Sequence, residues 1–345
     1  MFESPTIDPP IDDNGGPPSG LRLRPYAGET DVAATVQIMN RDYQLDGVVE
    51  HATIEDVASR YRTPSDMFDP ARDVTIAEIG GTPVGYGERS WVDTSDGKYR
   101  EYRVDGAVQP EWRRRGIGKA LLAENMRLQR QLAATHQTDR PRVFGTWTSD
   151  RQDGANALAR SAGFEQVRWF FEMVRDLSET IPDVPLPDGL EVREVTSDLI
   201  RQIWLADVEA FQDHWGGFDS SDENLQRWLD SPSFDPTLWV IAWDGDDVAG
   251  GVINGIHSEE NKALGISRGW LHSVFTRRPW RKRGLARALI ARSLVLIQER
   301  GIAEGILGVD ADNPSGALGL YERIGFKVLE RSTAWRLPFE RAAGQ

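Results

Sequence analysis

The sequence predicts an α/β fold built from two tandem domains, each a sheet of mixed strand directions flanked by helices. Three observations carry this. A basic turn occurs twice, as Arg113-Arg114-Arg115-Gly116-Ile117-Gly118 and as Arg281-Lys282-Arg283-Gly284-Leu285-Ala286, each time between an extended apolar segment and an apolar-periodic helix. Pro182, Pro185 and Pro187 interrupt the chain between the copies, in a stretch that neither helix nor sheet can continue through. Gly20-Leu21-x-x-Arg24 and Gly189-Leu190-x-x-Arg193 open the two copies, and Gly163-Phe164 and Gly325-Phe326 come late in each. The offset of roughly 160 to 170 residues is that of a duplicated domain, since solenoid periods run about 20 to 50.

The elements of the first copy follow in order. Residues 1–19 are rich in Pro, Gly and Asp without periodicity and are expected to be a disordered arm. A first domain then spans 20–178. Residues 20–24 read as a strand and 30–42 as a helix. Residues 74–78 and 84–91 flank the Gly80-Gly81 turn as a hairpin, and 99–108 form a longer strand. After the basic turn come a helix over 116–133, a strand over 143–148, a short helix over 155–161 and a strand or strand pair over 164–174.

A linker over 179–188 leads to the second domain, 189–345, where the order restarts. Residues 189–193 read as a strand, 197–213 as a helix with Ser197 at its N-cap, and 222–229 as another helix. Residues 238–243 and 248–256 flank Asp244-Gly245-Asp246 as a hairpin, and 270–276 form a strand. A helix over 284–300, a strand over 306–309, a helix over 315–324 and closing strands over 326–337 complete the copy.

Composition bounds the chemistry. The 345 residues suit two domains of ordinary size, and 12 Trp within a 39% hydrophobic chain can supply two cores. With no Cys, disulfides, thiolate-held zinc and a Cys nucleophile are excluded, and a cytoplasmic location fits. The five His form no His-x-x-x-His pair, so no metal is expected. No apolar run of 18 residues and no secretory signal is visible, so no membrane partner is expected. A net charge of −14 repels nucleic acid and anionic lipid and attracts cationic small molecules.

A strand, a tight basic turn and a helix start bring several backbone N–H groups and a helix dipole to one place, which suits a diphosphate. Gly116, Gly118, Gly284 and Ala286 carry little or no side chain, so an anion can approach their N–H groups closely.

The motif Arg281-x-x-Gly284-x-Ala286, followed by Val309-Asp310-Ala311-Asp312-Asn313 and by Leu320-Tyr321-Glu322-Arg323-Ile324-Gly325-Phe326, resembles the GNAT family of acetyl-CoA-dependent N-acetyltransferases. Over residues 20–338 both copies together are similar to the tandem GNAT proteins typified by mycothiol synthase. The resemblance implies two GNAT acyl-CoA N-acyltransferase domains, each a mixed, mostly antiparallel central sheet flanked by helices. Acetyl-CoA is the implied cosubstrate and a small-molecule amine the implied acceptor. In the second domain Val274, Phe275, Thr276, Arg281, Lys282, Arg283, Gly284, Leu285, Ala286 and Asn313 would hold the acyl-CoA. In the first, Val108, Arg113, Arg114, Arg115, Gly116, Ile117 and Gly118 would do so. Tyr321 would protonate the departing CoA thiolate. Asn313, before Pro314, is equally placed to cap the last helix.

A lysine-like amine has a pKa of about 10.4, so freeing its lone pair at pH 7 costs about 4.6 kcal/mol and favours a base. Mycothiol-synthase-like proteins present a Glu early on the strand before the turn, where this chain reads Arg268-Gly269-Trp270-Leu271-His272. His272 is the nearest titratable candidate. Asp213, Asp219, Asp222 and Glu223 lie where the resemblance places the acceptor and are candidates for holding a cationic amine.

Aligning Gly163-Phe164 with Gly325-Phe326 sets Ala159 opposite Tyr321, Arg151 opposite Asn313 and Thr148 opposite Asp310. The first domain therefore keeps the phosphate turn without the acid. It is expected to bind CoA or serve architecture, while the second catalyses. A non-catalytic CoA-binding regulatory protein is the alternative, and a monomer or homodimer is expected.

Overall fold

The computed structural model describes residues 16–212, 215–216, 220–312 and 316–340. The first half runs β1 (Leu21–Pro25), α1 (Glu29–Asp46), α2 (Ile54–Arg62), α3 (Pro70–Asp73), β2 (Val74–Ile79), β3 (Thr82–Asp93), β4 (Arg100–Val108), α4 (Ile117–Thr135), β5 (Arg142–Ser149), α5 (Asp153–Ala162) and β6 (Glu165–Asp176). The second runs β7 (Glu191–Arg193), α6 (Ile200–Phe211), α7 (Asp222–Leu229), β8 (Val240–Asp244), β9 (Asp247–Gly255), α8 (Ser258–Leu264), β10 (Arg268–Thr276), α9 (Leu285–Glu299), β11 (Glu304–Asp310), α10 (Ala317–Ile324) and β12 (Lys327–Pro338).

The twelve strands of the described residues join one sheet in the order β1-β2-β3-β4-β5-β12-β6-β11-β10-β9-β8-β7. Among the described residues only β4–β5 and β10–β11 pair in parallel. The closing strands are exchanged between the halves. β12 pairs with β5 over Ser332–Pro338, while β6 pairs with β11 over residues 170–176. β6 and β12 also pair with each other at the centre. Of the strand or strand pair expected over 164–174, the structure has one long strand, and the closing strands expected over 326–337 are also one.

Period-2 alternation sends side chains to two faces, and helices cover both. In β8, Val240 and Ala242 enter the core under α9, while Ile241 and Trp243 enter the core under α6. In β2, Val74 and Ile76 pack with α1 and α2, and Ala77 packs with Ile117 and Leu121 of α4. Strand exchange mixes the cores. Trp335 and Leu337 of β12 pack with Tyr102 and Phe144 of the first half, and Met173 of β6 packs beneath α9 of the second. Full burial of side chains this large stabilises by about 2 to 3 kcal/mol each, so each half draws part of its core from the other.

Several local expectations change. The helix expected from Ser197 begins at Ile200, because Ser197–Leu199 form a 3-10 turn. α2 and α8 are short helices that strand and helix periodicity did not mark. Thr53 caps α2 by accepting from the Asp56 N–H at 3.1 Å. Residues 1–15 of the expected arm lie outside the described residues. Residues 16–19 pack against the body, with Pro18 buried and its carbonyl accepting from the Leu21 N–H at 3.1 Å. Within the expected linker, Ile181 and Leu186 pack against the core, and the Val184 carbonyl accepts from Arg292 of α9 at 2.7 Å.

Candidate active site

The two basic turns are near copies in backbone geometry. Arg114 and Lys282 are the only described non-glycine residues with positive φ, at 63° and 61°. Gly116 and Gly284 follow in the left-handed region at φ 78° and 84°, immediately before α4 and α9. A left-handed conformation costs a residue with a Cβ roughly 1 to 2 kcal/mol. Its presence at the same step of both turns is therefore an imposed geometry. The first N–H groups to find helical partners are those of Ala120, to Gly116 O, and Ala288, to Gly284 O. The N–H groups just ahead of them open each helix and lack such partners, which is the arrangement an anion requires.

Each turn stands at the mouth of a cleft. β4 pairs with β5 only over Arg100–Arg103 yet continues to Val108. β10 pairs with β11 only over Arg268–Trp270 yet continues to Thr276. Past these points the parallel strands splay, and one edge of β4 and of β10 carries backbone groups with no strand partner on that side. β10 also carries a bulge, where His272 is the extra residue between Leu271 and Ser273.

The first-half cleft encloses about 700 Å³, reaching from Gly116 and Gly118 past Val108 to Ala159, Thr146 and Glu88. Its polar groups are largely engaged. Arg113 donates to both oxygens of Asp46 at 2.8 Å and also bonds Asp42. Asp105, on the splayed part of β4, accepts from Thr146 Oγ1 at 3.0 Å and from the Trp147 N–H at 3.3 Å. It therefore spans the cleft and takes a β5 backbone donor. Asp105 is exposed on the cleft lining, while the protein around it pushes its carboxyl up to about 6. The Gly16–Pro17 backbone lies over the turn, and a Cβ on Gly116 would meet the Gly16 carbonyl at 3.1 Å. Arg114, Arg115 and Ile117 complete this turn, with Arg115 over the Trp112 ring at 5.2 Å and Ile117, the first residue of α4, buried against Ala77 and Val84.

In the second half a Cβ on Gly284 would meet nothing within 4 Å. Arg281 donates to the carbonyls of Thr276 at 3.0 Å and Ala210 at 3.4 Å, and Arg283 to that of Asp188 at 3.3 Å. Lys282 is the left-handed residue, while Leu285 and Ala286 begin α9, Leu285 in the core. Val274 packs on the α9 side of β10, and Phe275 is buried on the α6 side. The Thr276 hydroxyl is buried with no hydrogen-bond partner in the structure. An orphaned hydroxyl beside an open glycine turn suits an incoming polar ligand. Tyr321 is buried with Val309, Leu285 and Ile324, and burial pushes its phenol up to about 12.

A second cavity of about 520 Å³ opens on the α6 side of β10, between α2 of the first half and α7 of the second. His272 and Ser273 line it. His272 stacks on Trp270 with rings 3° from parallel, and its Nε2 lies 3.1 Å from Nε2 of His257. His272 is exposed to the cavity, and the protein around it, followed by His257, pushes its ring down. Asp222 and Glu223 are exposed at the start of α7, Asp222 pairing with Arg201 at 3.0 Å. The residues of that helix facing the cavity are instead Asn224, Arg227 and Trp228. Asp213, Asp219 and Asn313 lie outside the described residues.

Asp207 went unmarked in the sequence. It is buried, lines the second cavity, and accepts from Ser273 Oγ at 2.6 Å. A signal was present: on α6, Ile203, Trp204, Ala206 and Ala210 form an apolar face, and Asp207 is the one acid in that stripe. Asp105 gave no comparable signal, because its role depends on where β5 diverges.

Splayed parallel strands, an N–H-lined glycine turn opening the next helix, and a buried Tyr on the helix after the cleft define an acetyltransferase, and the chain belongs to the GNAT family. The model of the acetyltransferase (GNAT) family matches residues 201–326, and that of the acetyltransferase (GNAT) domain matches residues 70–166. The chain is 32% identical to a mycothiol acetyltransferase of Salinispora arenicola over 270 residues, covering 76% of this chain and 80% of that protein. It is 29% identical over 312 residues to a mycothiol acetyltransferase of Geodermatophilus obscurus, covering 88% and 94%. The crystal structure of a GCN5-related N-acetyltransferase from Sphaerobacter thermophilus shares the fold, with a TM-score of 0.71 at 22% identity, covering 95% of this chain and 99% of that one. The protein is thus a tandem GNAT N-acetyltransferase. No described helix is long and apolar enough to cross a membrane.

Proposed function

We propose that this enzyme transfers the acetyl group of acetyl-CoA to a primary amine of a small molecule by direct attack. The second half carries the transfer, and the first binds acyl-CoA or serves architecture. One observation supports this division above the others: Tyr321 stands in the second half where the first half has Ala159, whose methyl packs in the core and lines the cleft but has no proton to give.

Acetyl-CoA supplies an activated thioester. The N–H groups at the start of α9, with Gly284 open to approach, are suited to its diphosphate. The free edge of β10 beyond Trp270 offers N–H groups to a carbonyl oxygen that becomes negative as the amine attacks. Tyr321, held protonated by burial, then gives its proton to the departing sulfur. Against a free thiol pKa of about 8.5 that transfer runs uphill, but a thiolate leaving into the same buried surroundings is raised by desolvation as well.

The test is Tyr321→Phe in the full chain, followed by thiol release. The expected result is a turnover number lower by about 10² with unchanged acetyl-CoA affinity. Turnover equal to that of the parent would remove Tyr321 from the chemistry.

A further inference from the structure

The cavity on the α6 side of β10 joins the two halves: Asp56 and Ser59 come from α2, Asn224 and Trp228 from α7, and His272 and Ser273 from the bulge of β10. The halves touch at this wall. Ser59 Oγ donates to the Asp230 carbonyl at 3.2 Å, and Arg227 donates to the Thr63 carbonyl at 3.3 Å. Asp207 closes the floor, 7% exposed. Its only hydrogen bond among the described residues is the one from Ser273, and no described cation pairs with it. A buried carboxylate without a counter-charge is costly, and an apolar residue at this position would continue the α6 stripe.

We propose that this cavity receives the acceptor amine, and that Asp207 first pairs with its ammonium and then takes its proton. The proposal rests on the transferase reading above. Its geometry is independent of the CoA turn. Ser273 presents Asp207 to the cavity at the bulge where β10 turns its free edge to the cleft. An amine held by Asp207 is thus beside the strand segment along which the thioester lies.

The step balances as follows. The ammonium loses a proton to the Asp207 carboxylate, and the freed lone pair forms the C–N bond with the acetyl carbon. The C–S bond breaks, its electron pair leaves on sulfur, and sulfur receives a proton from Tyr321. The new amide nitrogen loses a second proton, which restores the Tyr321 phenol, and Asp207 releases its proton to solvent, so that one proton ends on sulfur and one in solvent. Burial raises the Asp207 carboxyl to about 7, partly offset by the Ser273 bond, which suits a base working at neutral pH. The other ionisable groups facing the cavity are Asp56 and Arg60 from α2, Arg227 from α7, and His257 and His272. Arg60 is paired with Glu88 at 2.6 Å, and the His272 ring is pushed down by the protein around it and by His257.

The experiment uses the full chain with acetyl-CoA and three probe amines: glucosamine, spermidine and an alanyl peptide. Thiol release is followed as a function of pH for the parent, Asp207→Asn and Ser273→Ala. The parent should show kcat/KM rising with pH through an acidic limb near 7. Asp207→Asn should lower turnover by about 10² to 10³ and abolish that limb, with acetyl-CoA affinity unchanged. Ser273→Ala removes a bond that favours the carboxylate and should move the limb to higher pH; this decides the matter if Asp207→Asn does not fold. A limb that persists in Asp207→Asn, or stays fixed in Ser273→Ala, overturns the role of Asp207 and leaves the transferase reading standing. Thiol release by the parent with none of the three amines overturns both.

Discussion

The carbonyl oxygens of Ala159 and Tyr321 close the same turn in the two halves. Each accepts from the N–H of the following Phe, Phe164 or Phe326, at 3.0 Å, and from the intervening left-handed glycine, Gly163 or Gly325. The backbone is therefore equivalent at these positions, and only the side chain differs. One half carries a buried phenol where the other leaves room in a cavity.

Under the proposed division of roles, binding and transfer can be perturbed separately. With Gly284→Val in the second turn, a β-branched residue would be forced to φ 84° where the proposed diphosphate would come nearest the backbone. The acetyl-CoA KM should rise at least tenfold, and the protein should lose roughly 1 to 2 kcal/mol of stability. Steady-state kinetics with a parallel melt would show both. The same change at Gly116 would strike the Gly16 carbonyl and should leave kcat/KM nearly unaltered.

Gly16 and Pro17 lie over the first turn, so a diphosphate bound there, as proposed, would compete with the arm for one surface. Deleting residues 1–18 should increase CoA binding to the first half. Calorimetry should then give a stoichiometry nearer two than in the parent protein. An unchanged stoichiometry and enthalpy would mean that the arm is no obstacle.

Asp207 makes stability depend on pH in an unusual sense. Its folded carboxyl is raised, to about 7, above the ordinary value of 3.8. The native state therefore holds this proton more tightly than the unfolded chain does. The associated stability is fully present below about pH 4 and is lost as pH rises through 7. Asp207→Asn should accordingly be more stable than the parent at pH 8, by an amount on the order of a few kcal/mol. The advantage should fade toward pH 4. Urea unfolding at pH 4, 6 and 8 reads this directly, and a constant difference across that range would contradict it.

Strand exchange makes the halves depend on one another. A fragment of residues 1–178 lacks β12 and so loses Trp335 and Leu337 from its core. At about 2 to 3 kcal/mol each, together with an unpaired β5 edge, this approaches a typical net stability of about 5 to 15 kcal/mol. The fragment should show no cooperative melt alone and should regain one when mixed with residues 189–345. A sharp two-state transition for 1–178 by itself would refute this.

Local signals were sufficient for much of this protein. The duplicated basic turn, the hairpins at Gly80-Gly81 and Asp244-Gly245-Asp246, and Tyr321 four residues before Gly325 could each be read from neighbouring residues. The same spacing set Ala159 opposite Tyr321, and the hydrogen bonds agree. Such features depend on short-range geometry, on turns that need glycine and helices that need period 3.6. What needed the tertiary structure is everything that joins distant segments. β12 lies between β5 and β6, Asp105 spans a cleft whose far wall is β5, Gly16 covers Gly116, and Asp207 meets Ser273 beneath a wall supplied by the other half. Strand partners are chosen by burial and ladder completion over the whole sheet, and a carboxylate becomes a base only through the surroundings that desolvate it. Neither is encoded in the spacing of nearby residues.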